Sequence, residues 1–227
     1  MTIVLTNDDG IDAPGIQALK AALPHLDTAI VAPDQPLSGC SHQINRGGPI
    51  SIQRRSDRAH AIGGTPADCT RVAVSYLYPE VQWVLSGINA GGNLGSDVHV
   101  SGTVAAVREA ALLRVPGIAI SHYIQRGRAI DWAVAGRLAR KVMDRLMAQR
   151  PDPGRFWNVN LPHLTADDPE PEIVLCRCCT QPLPTAFVVE QDQFRYVGDY
   201  GSRDRDPGAD VDVCFSGNIS VTEIQLW

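Results

Sequence analysis

A chain of 227 residues is long enough for one large α/β domain with appendages, or at most two small domains, and should bury roughly 70% of its unfolded surface on folding. With 44% hydrophobic and 20% charged residues, 20 Gly and 16 Pro, the composition excludes a coiled coil, a collagen-like repeat and wholesale disorder. The net charge of -5, from 20 Lys plus Arg against 25 Asp plus Glu, is the wrong sign for a protein that grips duplex nucleic acid through its phosphates.

The opening MTIVLTNDDG has neither a basic n-region nor a long apolar segment, so no signal peptide is expected. No apolar run approaches the ~18 residues that a membrane span requires, and the expectation is a soluble, cytoplasmic protein with no membrane partner. Residues 2–6 form a short β-rich run, followed by a polar turn and by GIQALKAAL, where Ile16, Leu19 and Leu23 share one helical face. Further strands are expected at 29–32, 81–85, 117–121 and 156–160. Helices are expected from Thr65-Pro66, a capping residue followed by a favoured first helical residue, over 103–113, and over 131–149. In the last of these Val134, Leu138, Val142 and Leu146 recur four apart.

Strands alternating with helices at this spacing predict a Rossmann-like three-layer α/β core with a mainly parallel sheet over residues 1–162, interrupted by a hairpin excursion at 46–61. From 163 to 227 the runs EIVLC, AFVVE, FRYVG and ISVTEIQL are extended and separated by Pro and Gly, predicting a β-rich extension. That extension is expected to pack on the core or to be exchanged between subunits, the closing strand being a candidate arm. Residues 198–212, with five aspartates, read as a solvated loop. Of the six cysteines, Cys176 and Cys179 have metal-ligand spacing, but no second CxxC completes a set of four; reduced thiols are expected.

In an open parallel sheet the ligand site lies off the carboxyl ends of the strands, and three of the expected strands end in polar clusters. The first runs into Asn7-Asp8-Asp9-Gly10, two adjacent carboxylates that a cation would relieve, although the same residues also make ordinary turns. The second ends in APDQPLSGCSHQI, with Ser38, Ser41 and the titratable His42. The third leads into SGINAGGNLGSD, with Asn89 and Asn93 among glycines, after which Ser101-Gly102-Thr103 opens a helix whose N-terminus suits an anion. These donors are hard oxygens, which favour Mg²⁺ or Mn²⁺ over a thiolate zinc site.

The motifs NDDGIDAPGIQAL, PDQPLSGCSH, GGTPADC, SGINAGGNLG and SGTVAAVREA, in this order, resemble the SurE (survival protein E) nucleotidases, and NVNLP at 158–162 also fits. The resemblance implies a Rossmann-like fold and a metal-dependent phosphatase of nucleoside 5'-monophosphates, with some members acting on 3'-monophosphates. It implies one divalent ion per subunit (Mg²⁺ or Mn²⁺) on Asp8, Asp9, Ser38 and Asn89, with Asn93, Ser101, Gly102 and Thr103 lining a phosphate pocket. It also implies a homo-oligomer, dimer or tetramer. Asp8 and Asp9 are then catalytic through the metal, and His42 is a candidate proton donor to the leaving alcohol. Two other readings stay open: a nucleotide- or phosphate-binding module without turnover, and a phosphatase of another small phosphorylated metabolite. Glu223 stands where the family has proline, and Ala110 where it commonly has glycine.

Overall fold

The computed structural model describes residues 2–227. Its strands are β1 (Thr2–Thr6), β2 (Asp27–Pro33), β3 (Ser51–Ser56), β4 (Ala59–Gly63), β5 (Trp83–Ala90), β6 (Gly117–His122), β7 (Arg155–Leu161), β8 (Ile173–Leu175), β9 (Phe187–Glu190), β10 (Gln193–Tyr196) and β11 (Ile219–Gln225). Nine of them form one sheet in the order β3-β4-β2-β1-β5-β6-β7-β11-β8, and β9 and β10 pair separately as an antiparallel hairpin. From β4 to β7 every neighbouring pair is parallel, which is why β1 lacks the polar alternation of a half-exposed strand. Ile3 and Leu5 pack on one face of the sheet and Val4 on the other, and all three are fully buried. The chain winds one way from β1 to β2 and the other way to β5, so the topological switch point lies between β1 and β5.

Five helices cover the two faces: α1 (Pro14–Ala21), α2 (Pro66–Val72), α3 (Gly102–Leu112), α4 (Trp132–Leu146) and α5 (Asp210–Phe215). Asp131 caps α4 by accepting from the Ala133 and Val134 N–H groups. The Val134, Leu138, Val142 and Leu146 stripe is buried in the core beside α1, each side chain stabilising the fold by about 1.5–3 kcal/mol. On α2, Thr65 and Asp68 form a reciprocal capping box, which accounts for the TPAD segment locally.

Four expectations need correction. β5 extends to Ala90, through the SGIN motif expected to be loop, because its backbone continues to pair with β6 past a register shift between Ser86 and Asn89. The 46–61 excursion is a hairpin, but β4 pairs with β2 and extends the main sheet. The closing strand β11 is not a projecting arm: it lies between β7 and β8, antiparallel to β7. Glu223, in that strand, accepts a hydrogen bond from Arg155 of β7 at 2.7 Å. The aspartate-rich segment 198–212 is not solvated throughout, since Asp206 and Asp210 are buried and α5 begins at Asp210. All six cysteines are free thiols.

Candidate metal centre

The carboxyl ends of β1, β2 and β5 meet at the switch point, where an α/β sheet leaves a crevice. After β1, the Asn7 amide donates to the Gly10 carbonyl at 2.8 Å, and the Leu37 N–H donates to the Asp8 carbonyl at 2.8 Å. These bonds close the NDDG turn and lash it to the loop that follows β2. Asp8, Asp9, Ser38 and Asn89 then line a single cavity of about 260 Å³, together with Asn93 and Ser101. The shift in β5–β6 pairing just before Asn89 is a bulge, which re-aims a side chain at a strand end. The Asn89 amide nitrogen donates to the Gly91 carbonyl at 2.9 Å, which leaves its carboxamide oxygen as the uncommitted acceptor. Asp9 accepts from the Ala90 N–H at 3.2 Å.

Asp8 is only 4% exposed. One oxygen accepts the Thr103 hydroxyl at 2.5 Å. Burial pushes its carboxyl up to about 6, with Asp9 adding to the rise and the Thr103 bond opposing it. Two carboxylates held side by side with so little solvent call for a positive charge between them. The donor set is two carboxylates, a hydroxyl and a carboxamide, all hard oxygens, and it fits Mg²⁺ or Mn²⁺. Among the described residues no three His, Cys, Asp or Glu side chains converge on a common point.

The N-terminus of α3 serves Asp8 more directly than the sequence implies. The Ser101 hydroxyl accepts from the Val104 N–H at 3.1 Å and caps the helix. Thr103 is fully buried and spends its hydroxyl on Asp8. Gly102 allows the contact: a Cβ there would stand 2.8 Å from the Asp8 Cβ and 3.0 Å from the Cys40 sulfur. Of this turn only Ser101 lines the cavity, so Gly102 and Thr103, expected in the phosphate pocket, act through the carboxylate they hold. Asn93 is clamped by strand ends: its amide donates to the Ser121 hydroxyl at 2.7 Å, and its N–H donates to the Asn160 oxygen at 2.7 Å. Its carbonyl accepts from Asn158 and Asn160, which explains the NVN motif.

His42 does not line this cavity. Its Nε2 lies 2.8 Å from a Glu109 carboxylate oxygen, and Arg71 of α2 stands 3.7 Å from the other. Glu109 follows Gly102 by seven residues on α3, about 10 Å along the helix axis. In this structure the ring of His42 therefore meets Glu109 rather than the cavity, and joins the loop that carries Ser38 to α3.

Sequence reading missed Tyr200, Asp97 and Arg203. Asp97 and Tyr200 also line this cavity. The Tyr200 hydroxyl donates to Asp97 at 2.6 Å, and Arg203, its side chain fully buried, donates to the same oxygen at 3.1 Å. These contacts span 103 and 106 residues, and no local pattern announces them.

Residues 3–183 match the family described as Survival protein SurE. A protein of Nostoc sp. (strain PCC 7120), alr3139, is 53% identical over 226 residues, covering all of both chains. The 5'-nucleotidase SurE 1 of Burkholderia lata is 42% identical over 170 residues, covering 73% of this chain and 66% of that protein. The crystal structure of the SurE protein from Aquifex aeolicus superposes with a TM-score of 0.88 at 27% identity, covering 100% of this chain and 94% of that one. On sequence and fold together, the chain belongs to the survival protein SurE family.

Proposed function

We propose that this chain hydrolyses nucleoside 5'-monophosphates to nucleoside and phosphate, using one divalent cation per subunit, Mg²⁺ or Mn²⁺, held by Asp8, Asp9, Ser38 and Asn89. The observation that carries the reading is the buried Asp8 beside Asp9 at the switch point, in a cavity walled by hydroxyl and carboxamide groups. A relative named as a 5'-nucleotidase supports the reaction class. Hydrolysis of 3'-monophosphates is included on the family resemblance alone.

When bound, such a cation stabilises charge on phosphoryl oxygens and lowers the pKa of a water. The chain's own residues supply position, on which phosphoryl transfer chiefly depends. Thr103 and the N-terminus of α3 fix Asp8 and share its charge, so a phosphate dianion meets less repulsion than two free carboxylates would exert. Asn93, immobilised by Ser121 and Asn160, offers a rigid polar wall to phosphate oxygens, and Ser101 stands beside it. Residues 1–162 then form the catalytic core, and 163–227 the extension that adds Tyr200 to the site.

The protein is further assigned to a cytoplasmic homo-oligomer, dimer or tetramer. Six free thiols suit a reducing compartment. The β9–β10 hairpin exposes Phe187, Val189, Phe194 and Tyr196, each more than half exposed, an apolar face that a second copy would cover. The deciding experiment for the activity is phosphate release from a panel of nucleoside 5'- and 3'-monophosphates with Mn²⁺, Mg²⁺ or EDTA. Release that EDTA abolishes and added cation restores is the expected result. Nucleotide binding with no release under any condition would overturn it in favour of a binding module.

A further inference from the structure

Three carboxylates, those of Asp8, Asp9 and Asp97, line the cavity at the switch point, and among the described residues no cationic side chain lines it. A divalent cation offsets two of these charges. A phosphate dianion would then still face one net negative charge from the walls, where Asp8 and Asp97 are both buried and poorly screened. The charge that answers the third carboxylate stands behind the wall, in Arg203.

The Arg203 side chain is fully buried. Its Nη1 donates to one Asp97 oxygen at 3.1 Å and to the Leu94 carbonyl at 3.4 Å, while Nε and Nη2 have no partner. Gly95 makes room for it: a Cβ there would stand 3.2 Å from Nη2 and 2.8 Å from the Cys179 carbonyl oxygen. Asp97 is its one ion-pair partner among the described residues. Asp210 is also near enough to feel its charge, but three backbone N–H groups already stabilise that carboxylate, which does not line the cavity. Capping the turn from Gly95 to His99 requires only the bond from the Leu94 N–H to Asp97. A guanidinium stripped of water is a separate expense, and what it adds is a positive charge. Leu94, Tyr200 and Arg203 all meet the same Asp97 oxygen, and the other oxygen accepts no hydrogen bond.

We propose that Arg203 is a positioning residue for phosphate capture, acting through Asp97. Its buried charge offsets that of Asp97, so that the walls and a divalent cation together meet a phosphate dianion without net negative charge. This rests on the metal-dependent phosphatase reading above, and adds to it a residue outside the cavity that the extension supplies.

The test reads binding rather than turnover, by calorimetric titration of Mn²⁺ into the metal-free chain and of inorganic phosphate into the Mn²⁺-loaded chain. Arg203→Met leaves Asp97 uncompensated. It should weaken phosphate binding about tenfold and tighten Mn²⁺ binding about threefold, the scale of one partly screened charge at several ångströms. Asp97→Asn should reverse both signs, with tighter phosphate and weaker Mn²⁺. The double variant, Asp97→Asn with Arg203→Met, should return both constants to within about twofold of native, because the two changes are coupled. A loop that had only been loosened would bind both ions more weakly. Losses in the same direction in either single variant therefore overturn the assignment, as does unchanged phosphate affinity in Arg203→Met. Each single variant decides the sign by itself, so one that fails to fold does not shield the proposal. A native chain that binds both ions, with these shifts in the variants, yet hydrolyses no nucleotide overturns the nucleotidase reading and leaves the charge balance standing.

Discussion

Asp8 and Asp9 on one side, and Asp97, Asp206 and Asp210 on the other, are acidic residues treated in opposite ways. Asp210 is fully buried, yet its two oxygens accept from three backbone N–H groups, those of Cys179 at 2.7 Å, Gly95 at 2.8 Å and Val211 at 2.9 Å. Asp206 takes the Thr180 N–H and hydroxyl, the Gln181 amide and the Arg177 guanidinium, and these bonds hold its carboxyl far below the usual carboxylate range. Asp97 collects Leu94, Tyr200 and Arg203 on one oxygen. Asp8, almost as buried, has Thr103 as its one side-chain donor and a second carboxylate as its neighbour. A saturated carboxylate organises the chain around it, whereas an undersupplied one is left to bind something else.

Substituting asparagine at one site of each kind breaks the comparison most directly. Asp8→Asn should lower kcat/KM for nucleotide hydrolysis about 1,000-fold or more, the equivalent of several kcal/mol of lost charge stabilisation. Its urea midpoint should stay level or rise, because a buried and poorly solvated charge has gone. Asp210→Asn should do the reverse. The new amide turns a donor toward a backbone N–H that Asp210 now satisfies, and destabilises the fold by about 3 kcal/mol, while hydrolysis in the cold persists. Parallel assays and urea titrations of the two variants check this. Loss of stability at Asp8 with activity intact would invert the assignment.

The same contrast explains what could be read from the chain. Asp8, Asp9, Ser38 and Asn89 were visible because each sits just past or at the end of an apolar run, and a parallel sheet sends such ends to one edge. The NVN motif stood out without revealing its use, since Asn158 and Asn160 are spent on Asn93, 65 and 67 residues away. Asp206 and Asp210 read as solvated in the sequence and are buried in the structure. The donors to Asp210 are backbone N–H groups, which carry no signature in sequence, and those to Asp206 come from 25 to 29 residues away, so a saturated aspartate and a solvated one look alike. Helices α1 to α4 could be read because capping and apolar period are local; α5 has six residues and no side-chain cap, and gave no such signal.

His122 sharpens the comparison from the basic side. It is fully buried at the end of β6, and neither ring nitrogen has a partner. Burial, with the neighbouring His163 ring adding to it, lowers its pKa to about 4. In the unfolded chain it should titrate near 6.5, so between these values the unfolded state binds the extra proton. Stability from this residue is therefore intact above pH ~6.5 and falls as pH drops toward 4, by about 2 kcal/mol at pH 5. His122→Phe should remove that component, seen as a shallower loss of urea midpoint between pH 7 and pH 5. An unchanged slope would mean that the imidazole finds a partner when the chain is acidified.

The smallest effect is expected at His42. Were it the proton donor to the leaving alcohol, His42→Gln would lower kcat at any metal concentration and erase one limb of the pH–rate profile. Its ring instead meets Glu109 at 2.8 Å, about 10 Å along α3 from the residue that abuts Asp8. The loop that carries Ser38 is also tied down where the Ser41 N–H donates to Val100 and the Thr65 hydroxyl donates to Gln43. His42 is thus one tether among several, and its removal should loosen Ser38 without displacing it. His42→Gln should weaken the apparent affinity for Mn²⁺ about tenfold, the scale of a group that orients a metal ligand, with kcat recovered at saturating metal and both limbs of the pH profile in place. Glu109→Gln should behave the same way, because the tether has two ends. A kcat that stays low at saturating Mn²⁺ in the first variant and not in the second would return His42 to the chemistry.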